Sequence, residues 1–305
     1  MRIAVTGATG RLGSALVDAL ADAPFPGPGG PLAWGRREMD LDAPEGVVAM
    51  LDRERPEVVL HAAAWTDVDG CAREPELALA RNGTATGLLA GACAARGIDL
   101  VMVSTNEVFD GTRTDGIGYG PDDEPAPGNP YGVSKLAGER AAAAAFAGTA
   151  SGGRLGIVRT AWLFGPGEPD FPRKILAAAD RAVAAGEPLP AVADEWGTPT
   201  YTHDVADAIV ELLAEDAHAG IHHVVNGLFA TRALWAEYIV GRFGLPVTVQ
   251  HVAATTWARA SVPPRWGVLA ATPLPSGEPL RPWPDAMADY APALERARRQ
   301  AAGSR

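Results

Sequence analysis

The sequence predicts an α/β fold, a doubly wound parallel sheet with a smaller C-terminal α/β lobe, and three observations predict it. Short apolar runs alternate with longer helical patterns, several runs are apolar throughout, and the pattern turns irregular and proline-rich after about Gly165. Runs without polar alternation suit parallel strands covered on both faces, and intervening helices are what bring parallel strands together.

In chain order, the predicted strands cover 3–6, 32–35, 58–63, 100–104, 156–161 and 223–226. Helical spacing is clear at Leu12, Leu16 and Leu20, over 77–95 (closed by Gly97), and over 204–219. A Pro/Gly-rich loop spans 23–31, and a Gly/Pro/Asp loop over 111–130 follows the strand ending at Ser104-Thr105. Loops of that length are often functional. The expected division is a dinucleotide-binding domain over 1–164, to which 201–226 returns. The remaining 165–200 and 227–305 form the second lobe.

Composition narrows the function. With 305 residues, 47% of them hydrophobic, the chain can bury a sizeable core. A formal net charge of -11 argues against a nucleic-acid or membrane-surface binder, which needs a basic face. No apolar stretch approaches the roughly 20 residues that span a bilayer, and no secretory signal precedes the first strand. The two cysteines, Cys71 and Cys93, have no metal-like spacing and fit a reducing compartment. The expectation is a cytoplasmic protein without a metal, since neither HExxH nor a paired-carboxylate spacing occurs.

Gly7-Ala8-Thr9-Gly10-Arg11-Leu12-Gly13 follows the first strand and opens a helix. Glycines so spaced permit a tight turn, close approach of the main chain to a pyrophosphate, and close helix–strand packing. The helix N-terminus adds N–H donors and partial positive charge. The pattern predicts a Rossmann-type dinucleotide site. The second strand ends at Arg36-Arg37, where an acidic residue would grip a ribose 2′-hydroxyl. Arginine suits a 2′-phosphate, so NADPH is the expected cofactor, with NADH left open. Asp40 and Leu41, and more weakly Asp42, are expected beside the adenine. The small residues Ala62, Ala63 and Ala64 leave room for the dinucleotide.

Tyr131 and Lys135 stand four apart in Asn129-Pro130-Tyr131-Gly132-Val133-Ser134-Lys135, on one face of a helix. A phenol titrates near 10, so it needs a nearby cation, the ammonium or an oxidised nicotinamide, to lower its pKa for proton transfer. Thr105, at a strand end, can donate to a substrate oxygen. Asn82 can hold a water linking Lys135 to solvent.

These residues resemble the extended short-chain dehydrogenase/reductase superfamily, and within it the dTDP-4-dehydrorhamnose reductases. The resemblance covers nearly the whole chain, through Thr6 to Gly13, His61 to Asp69, Ser104 to Gly111, Tyr131 to Glu139, Arg159 to Trp162 and Asp194 to Thr200. It implies that Thr105, Tyr131 and Lys135 are catalytic and that Thr66, Val68, Glu107, Trp162 and Pro199 contact the substrate. The implied reaction passes hydride from NADPH to C4 of a nucleotide-diphospho-4-keto-6-deoxysugar while Tyr131 protonates the alkoxide. Three departures bear on the sugar. Glu107 replaces a tyrosine expected to touch it, and His61 replaces an asparagine. Asp170, also in place of an asparagine, would put a negative charge near an anionic nucleotide. Related 4,6-dehydratases pair Asp with Glu at this strand end, but Asn106 here cannot act as the acid. An epimerase or dehydratase and a non-catalytic NADP-binding regulatory subunit are the alternatives. The partner expected is a nucleotide sugar, with a homodimer left open. Arg265 and Arg281 are candidates for a pyrophosphate, with a solvated role preferred.

Overall fold

A computed structural model describes residues 1–25, 27, 29–167 and 169–303; Pro26 and Pro28 of the loop over 23–31 lie outside them. Its main sheet has six parallel strands: β1 (Ile3–Thr6), β2 (Leu32–Trp34), β3 (Val58–His61), β4 (Asp99–Thr105), β5 (Leu155–Thr160) and a sixth, Gly220–His223. Across the sheet the order is Gly220–His223, β5, β4, β3, β1, β2. The chain leaves β1 for β2 on one side and returns to β3 on the other. Ligands of open α/β sheets bind beyond the carboxyl ends of strands at such a reversal.

Each face of the sheet is covered, which explains the apolar strands. One face packs on helix α1 (Arg11–Asp22) through Leu12, Leu16 and Leu20, and on the helix Thr202–Ala214 through Val205, Ile209 and Leu212. The other packs under Leu51, Leu89 and Cys93. A separate core around Phe164, Leu176, Trp235, Met287 and Tyr290 organises the C-terminal segments, where Leu189–Val192 pairs in parallel with Val249–Val252.

Three sequence expectations shift. The last strand occupies Gly220–His223 rather than 223–226, because its pairing half lies at the exposed sheet edge and carries little apolar signal. Val224 and Val225, which do, are buried just beyond the ladder. The helix over 77–95 is broken into Pro75–Ala78, a π-helical turn Leu79–Thr84, and Ala85–Ala94. The helix over 204–219 is Thr202–Ala214, stopped by Asp216 in the left-handed region at φ 55. Among the described residues no helix is long and apolar enough to cross a membrane.

Candidate active site

β1 runs into Gly7, whose φ of 66 favours glycine and where a Cβ would stand 2.8 Å from the Ala63 nitrogen. At Gly13 a Cβ would stand 2.0 Å from the Gly7 carbonyl oxygen, so α1 packs against the turn only without a side chain there. Gly10 caps α1 with no side-chain hydrogen bond, and the first turn holds no acid. Gly10, having no side chain, offers the opening amides of α1 no capping acceptor, which suits a phosphate site.

A cavity of about 290 Å³ opens beside the turn, lined by Gly7, Thr9, Gly10, Arg36, Asp40, Leu41 and the three alanines 62–64. Arg37 is exposed and outside it. Asp42 lines it too, and so do Gly35, Met39, Trp65 and Arg81, which sequence reasoning did not single out for this cavity. Arg81 comes from the π-helical turn, lies 4.9 Å from the Trp65 ring centroid and forks onto Asp42 at 2.6 and 2.9 Å. Arg36 reaches the same carboxylate at 3.0 Å. Asp42 is thus an anion between two guanidiniums, and the Arg81 hydrogen bond, followed by charge, holds its carboxyl below the ordinary range.

A second cavity, of about 430 Å³, extends from Gly10, Arg11, Leu12 and Gly13 past Ala62 and Ala64 to the far ends of β4 and β5. It gathers Thr66, Val68, Thr105, Glu107, Tyr131, Lys135 and Trp162 on one wall system. Ser104, Thr160 and Arg232, which sequence reasoning missed, line it too. The signal for Ser104 and Thr160 was their place at strand ends; Arg232 had none, standing 70 residues beyond Trp162.

Tyr131 is positioned by the start of the helix Pro130–Ala147. Asn129 caps it, Oδ1 accepting from the Gly132 amide at 2.9 Å, and Pro130 occupies a first-turn position that needs no N–H. Gly132 lets the helix approach the turn after β4 closely, since a Cβ would meet the Glu107 carbonyl oxygen at 2.0 Å. Burial, then the Glu107 charge, pushes the Tyr131 phenol above its ordinary value, against a hydrogen bond with Thr105. The lowered phenol expected from the Tyr–Lys spacing is therefore not the state the protein alone sets: desolvation and the Glu107 charge outweigh the Thr105 hydrogen bond, and the phenol is kept protonated. Lys135 donates to the Val103 carbonyl at 2.7 Å; burial lowers it to about 8, with Glu139 opposing.

The Asn82 side chain is engaged by protein groups. Its Oδ1 accepts from Trp65 N at 2.8 Å, and its Nδ2 donates to the Trp65 carbonyl and to Ser134 Oγ, both at 3.0 Å. It ties the π-helical turn to the helix bearing Tyr131. His61 is buried between the hydroxyls of Thr6 and Thr86 at 2.8 and 3.2 Å, and burial, then the Lys135 charge, lowers it to about 3, so it is neutral. Asn106 donates to the Gly267 carbonyl at 3.0 Å, anchoring the C-terminal segment.

Other expectations are corrected. Asp170 does not face a nucleotide: it caps the helix Phe171–Ala185, accepts from the Gly165 and Arg173 amides at 3.0 Å each, and lies 3.6 Å from Arg11. Arg11 lines the cleft, yet its guanidinium bonds the Gly165 and Pro166 carbonyls. Pro199 is buried and does not line the cleft. Arg281 forks onto Asp204 at 2.8 and 2.9 Å, so it is a structural ion pair rather than a solvated group or a pyrophosphate contact. Arg265 is largely exposed, 3.5 Å from Asp194. No group of His, Cys, Asp and Glu that could hold a metal occurs among the described residues.

A family model described as the RmlD substrate binding domain matches residues 1–295. The chain is 37% identical over 297 residues to a dTDP-4-dehydrorhamnose reductase of Streptomyces griseus, covering 95% of this chain and 93% of that one. It is 34% identical over 296 residues to a dTDP-4-keto-6-deoxy-D-glucose reductase of Streptomyces niveus, covering 95% and 96%. A dTDP-4-dehydrorhamnose reductase from Bacillus anthracis, solved in complex with NADP, superposes with a TM-score of 0.84 at 27% identity, covering 95% of this chain and 98% of that one. On these grounds the chain belongs to the dTDP-4-dehydrorhamnose reductase family of extended short-chain dehydrogenase/reductases, NAD(P)H-dependent oxidoreductases that act on nucleotide sugars.

Proposed function

We propose that this chain uses NADPH to reduce the C4 ketone of a nucleotide-diphospho-4-keto-6-deoxysugar, with Tyr131 as proton donor. One observation carries the reading: a single cleft runs from the uncapped N-terminus of α1 to Thr105, Tyr131 and Lys135. The residues fit a dinucleotide at both ends. Amides at the start of α1 suit the pyrophosphate, and Arg36 at the neighbouring cavity suits a 2′-phosphate. The buried hydroxyls of Ser104 and Thr160 line the cleft without a hydrogen-bond partner among the described residues, so they suit the polar groups of the nicotinamide end.

A nicotinamide bound there supplies hydride to the carbonyl carbon. Thr105 and Tyr131 hydrogen-bond the carbonyl oxygen, and the Tyr131 proton passes to that oxygen as it becomes an alkoxide. Keeping the phenol protonated before reaction is the useful state for reduction. Lys135 then stabilises the phenolate left behind, and its ammonium sits in a low-dielectric site where that interaction is strong.

The test is loss of NADPH absorbance on addition of a dTDP-4-keto-6-deoxysugar. Turnover in the wild type that collapses in Tyr131→Phe is expected. A wild-type chain that binds NADPH and turns over no such sugar would overturn the proposal.

A further inference from the structure

Arg232 is the first residue of the helix Arg232–Arg242, next to its cap Thr231, whose Oγ1 accepts from the Leu234 amide at 3.1 Å. A cation is the wrong charge for a helix N-terminus, where the macrodipole is positive. Helix stability therefore gives no reason for arginine here. The fold does not use its donors either. The guanidinium lies over the Trp162 ring, 3.6 Å from the centroid, with Phe171 and Trp235 at 5.1 and 5.9 Å. None of its five N–H groups bonds to another described residue, and no carboxylate pairs with it. Those donors belong to a side chain that lines the cleft.

The platform beneath it is rigid. Trp162 is held in the left-handed region at φ 42, a conformation that costs about 1–3 kcal/mol at a non-glycine residue. Gly197 packs against its ring, where a Cβ would come within 2.3 Å, and the Thr200 amide donates to its carbonyl at 3.3 Å. Across the cleft stands Glu107, whose Oε2 accepts from Asn129 Nδ2 at 2.7 Å. Its second oxygen makes no hydrogen bond to another described residue. Glu107 and Arg232 sense one another's charge, as do Glu195 and Arg259 with both. Two carboxylates and two guanidiniums sum to zero. A bound anion would be repelled by Glu107 and Glu195 as much as drawn by the arginines. A neutral ring carrying hydroxyls, which both donate and accept, is what an open donor fork facing an open carboxylate can hold.

We propose that Arg232 and Glu107 are the specificity pair of the sugar subsite, Arg232 donating to ring or hydroxyl oxygens and Glu107 accepting from a hydroxyl of the same sugar. This rests on the reductase reading for the identity of the ligand. It adds a residue from the C-terminal lobe and pairs it with the Glu107 carboxylate, at the position where the resemblance leads one to expect tyrosine.

The experiment compares wild type, Arg232→Gln and Glu107→Gln for KM of the keto sugar and of NADPH, and for binding of dTDP-glucose and of dTDP alone by tryptophan fluorescence. Each variant should raise the KM of the sugar and the Kd of dTDP-glucose by roughly ten- to a hundredfold, the range for a lost charge-assisted hydrogen bond. KM for NADPH and Kd for dTDP should stay within about twofold. An unchanged dTDP-glucose affinity in both variants overturns the pairing. So does an equal loss for dTDP, because that would put Arg232 on the diphosphate. If Arg232→Gln does not fold, Arg232→Lys decides: it keeps the charge over Trp162 but lacks the planar fork, and must still weaken dTDP-glucose against dTDP. The binding arm needs no turnover, so an inactive wild type would count against the reductase reading alone.

Discussion

At the Gly-rich turn the cleft wall is main chain: Gly7, Gly10 and Gly13 present amides and carbonyls with no side chain between them and a ligand. At Trp162 the wall is long side chains drawn from β4, from the helix carrying Tyr131 and from the helix Arg232–Arg242. The first end tolerates no added atom at Gly7 or Gly13 but takes little chemistry from any one residue. The second depends on individual functional groups whose charges are balanced against burial. A substitution should therefore fail by sterics at one end and by chemistry at the other.

The sharpest contrast pairs Tyr131→Phe with Gly13→Ala. Removing the phenol oxygen should lower kcat by about 10²–10⁴-fold, the range for a lost general acid, with NADPH binding and the melting temperature little changed. Gly13→Ala places a Cβ 2.0 Å from a main-chain oxygen that cannot rotate away. It should weaken NADPH binding and cost about 1–3 kcal/mol of stability, seen by isothermal titration and thermal melting. If Gly13→Ala binds NADPH normally, the turn is not the phosphate cradle.

The same contrast explains what the sequence disclosed. The alternation of strands and helices, the turn and the Tyr131–Lys135 pair are legible in local patterns, because apolar runs, glycine turns and helical spacing are short-range. The order of the six strands is not, since pairings such as Ile3 with Val58 and Gly156 with Gly220 join residues far apart in the chain. Arg232 is invisible that way: its partner Trp162 is brought to it by the packing of the C-terminal core, and no short-range pattern encodes that. Arg81 stands beside Asn82 in the sequence, but the uninterrupted helix expected over 77–95 gave no reason to place it at the cavity beside the Gly-rich turn. It lines that cavity from a π-helical turn, and such turns recur at functional sites. Asp170 misled for the opposite reason. An acid just before Phe171-Pro172 is also a helix-cap signature, and the cap accounts for it fully.

Between the two ends lies a buried ion pair that belongs to neither. Arg159 on β5 bonds Glu139 at 3.1 and 2.7 Å, both side chains nearly inaccessible. Arg159→Met would leave the Glu139 carboxylate buried and alone, at a cost of about 3–5 kcal/mol. Chemical denaturation measures it, and a loss below about 1 kcal/mol would show that the pair is solvated on the unfolding scale.

Glu139 also connects that pair to chemistry, one helical turn beyond Lys135. Burial brings Lys135 from 10.5 down to about 8 while Glu139 holds it up. The sign follows directly: the ammonium is present below about 8 and is lost as pH rises through it. The rate should fall on that alkaline side. Glu139→Gln removes the opposing charge, so the alkaline limb should move to lower pH, with kcat at pH 6 changed far less than kcat at pH 8. The other groups around Lys135 do not mimic this limb. His61, lowered to about 3 by burial and Lys135, is neutral throughout, and the Tyr131 phenol is raised out of the range. A limb that stays put in Glu139→Gln would assign it to another group.

The smallest effect sharpens the comparison at the cavity beside the Gly-rich turn, where side chains such as Arg36 and Arg81 join a wall of main chain. Arg36 and Arg81 both hold Asp42, and both line the cavity beside the Gly-rich turn. Arg36 is mostly exposed, whereas Arg81 is three-quarters covered and stacked on Trp65. An exposed guanidinium meeting a 2′-phosphate works through screened charge, so Arg36→Ala should raise KM for NADPH about tenfold and leave KM for NADH nearly unmoved. Salt should diminish that difference. Arg81→Ala removes the better-ordered partner of Asp42 and loosens the cavity wall for either dinucleotide, so both KM values should rise together. If Arg36→Ala weakens NADPH and NADH alike, the arginine at the end of β2 shapes the cavity instead of choosing between cofactors, and any preference for NADPH has to come from elsewhere.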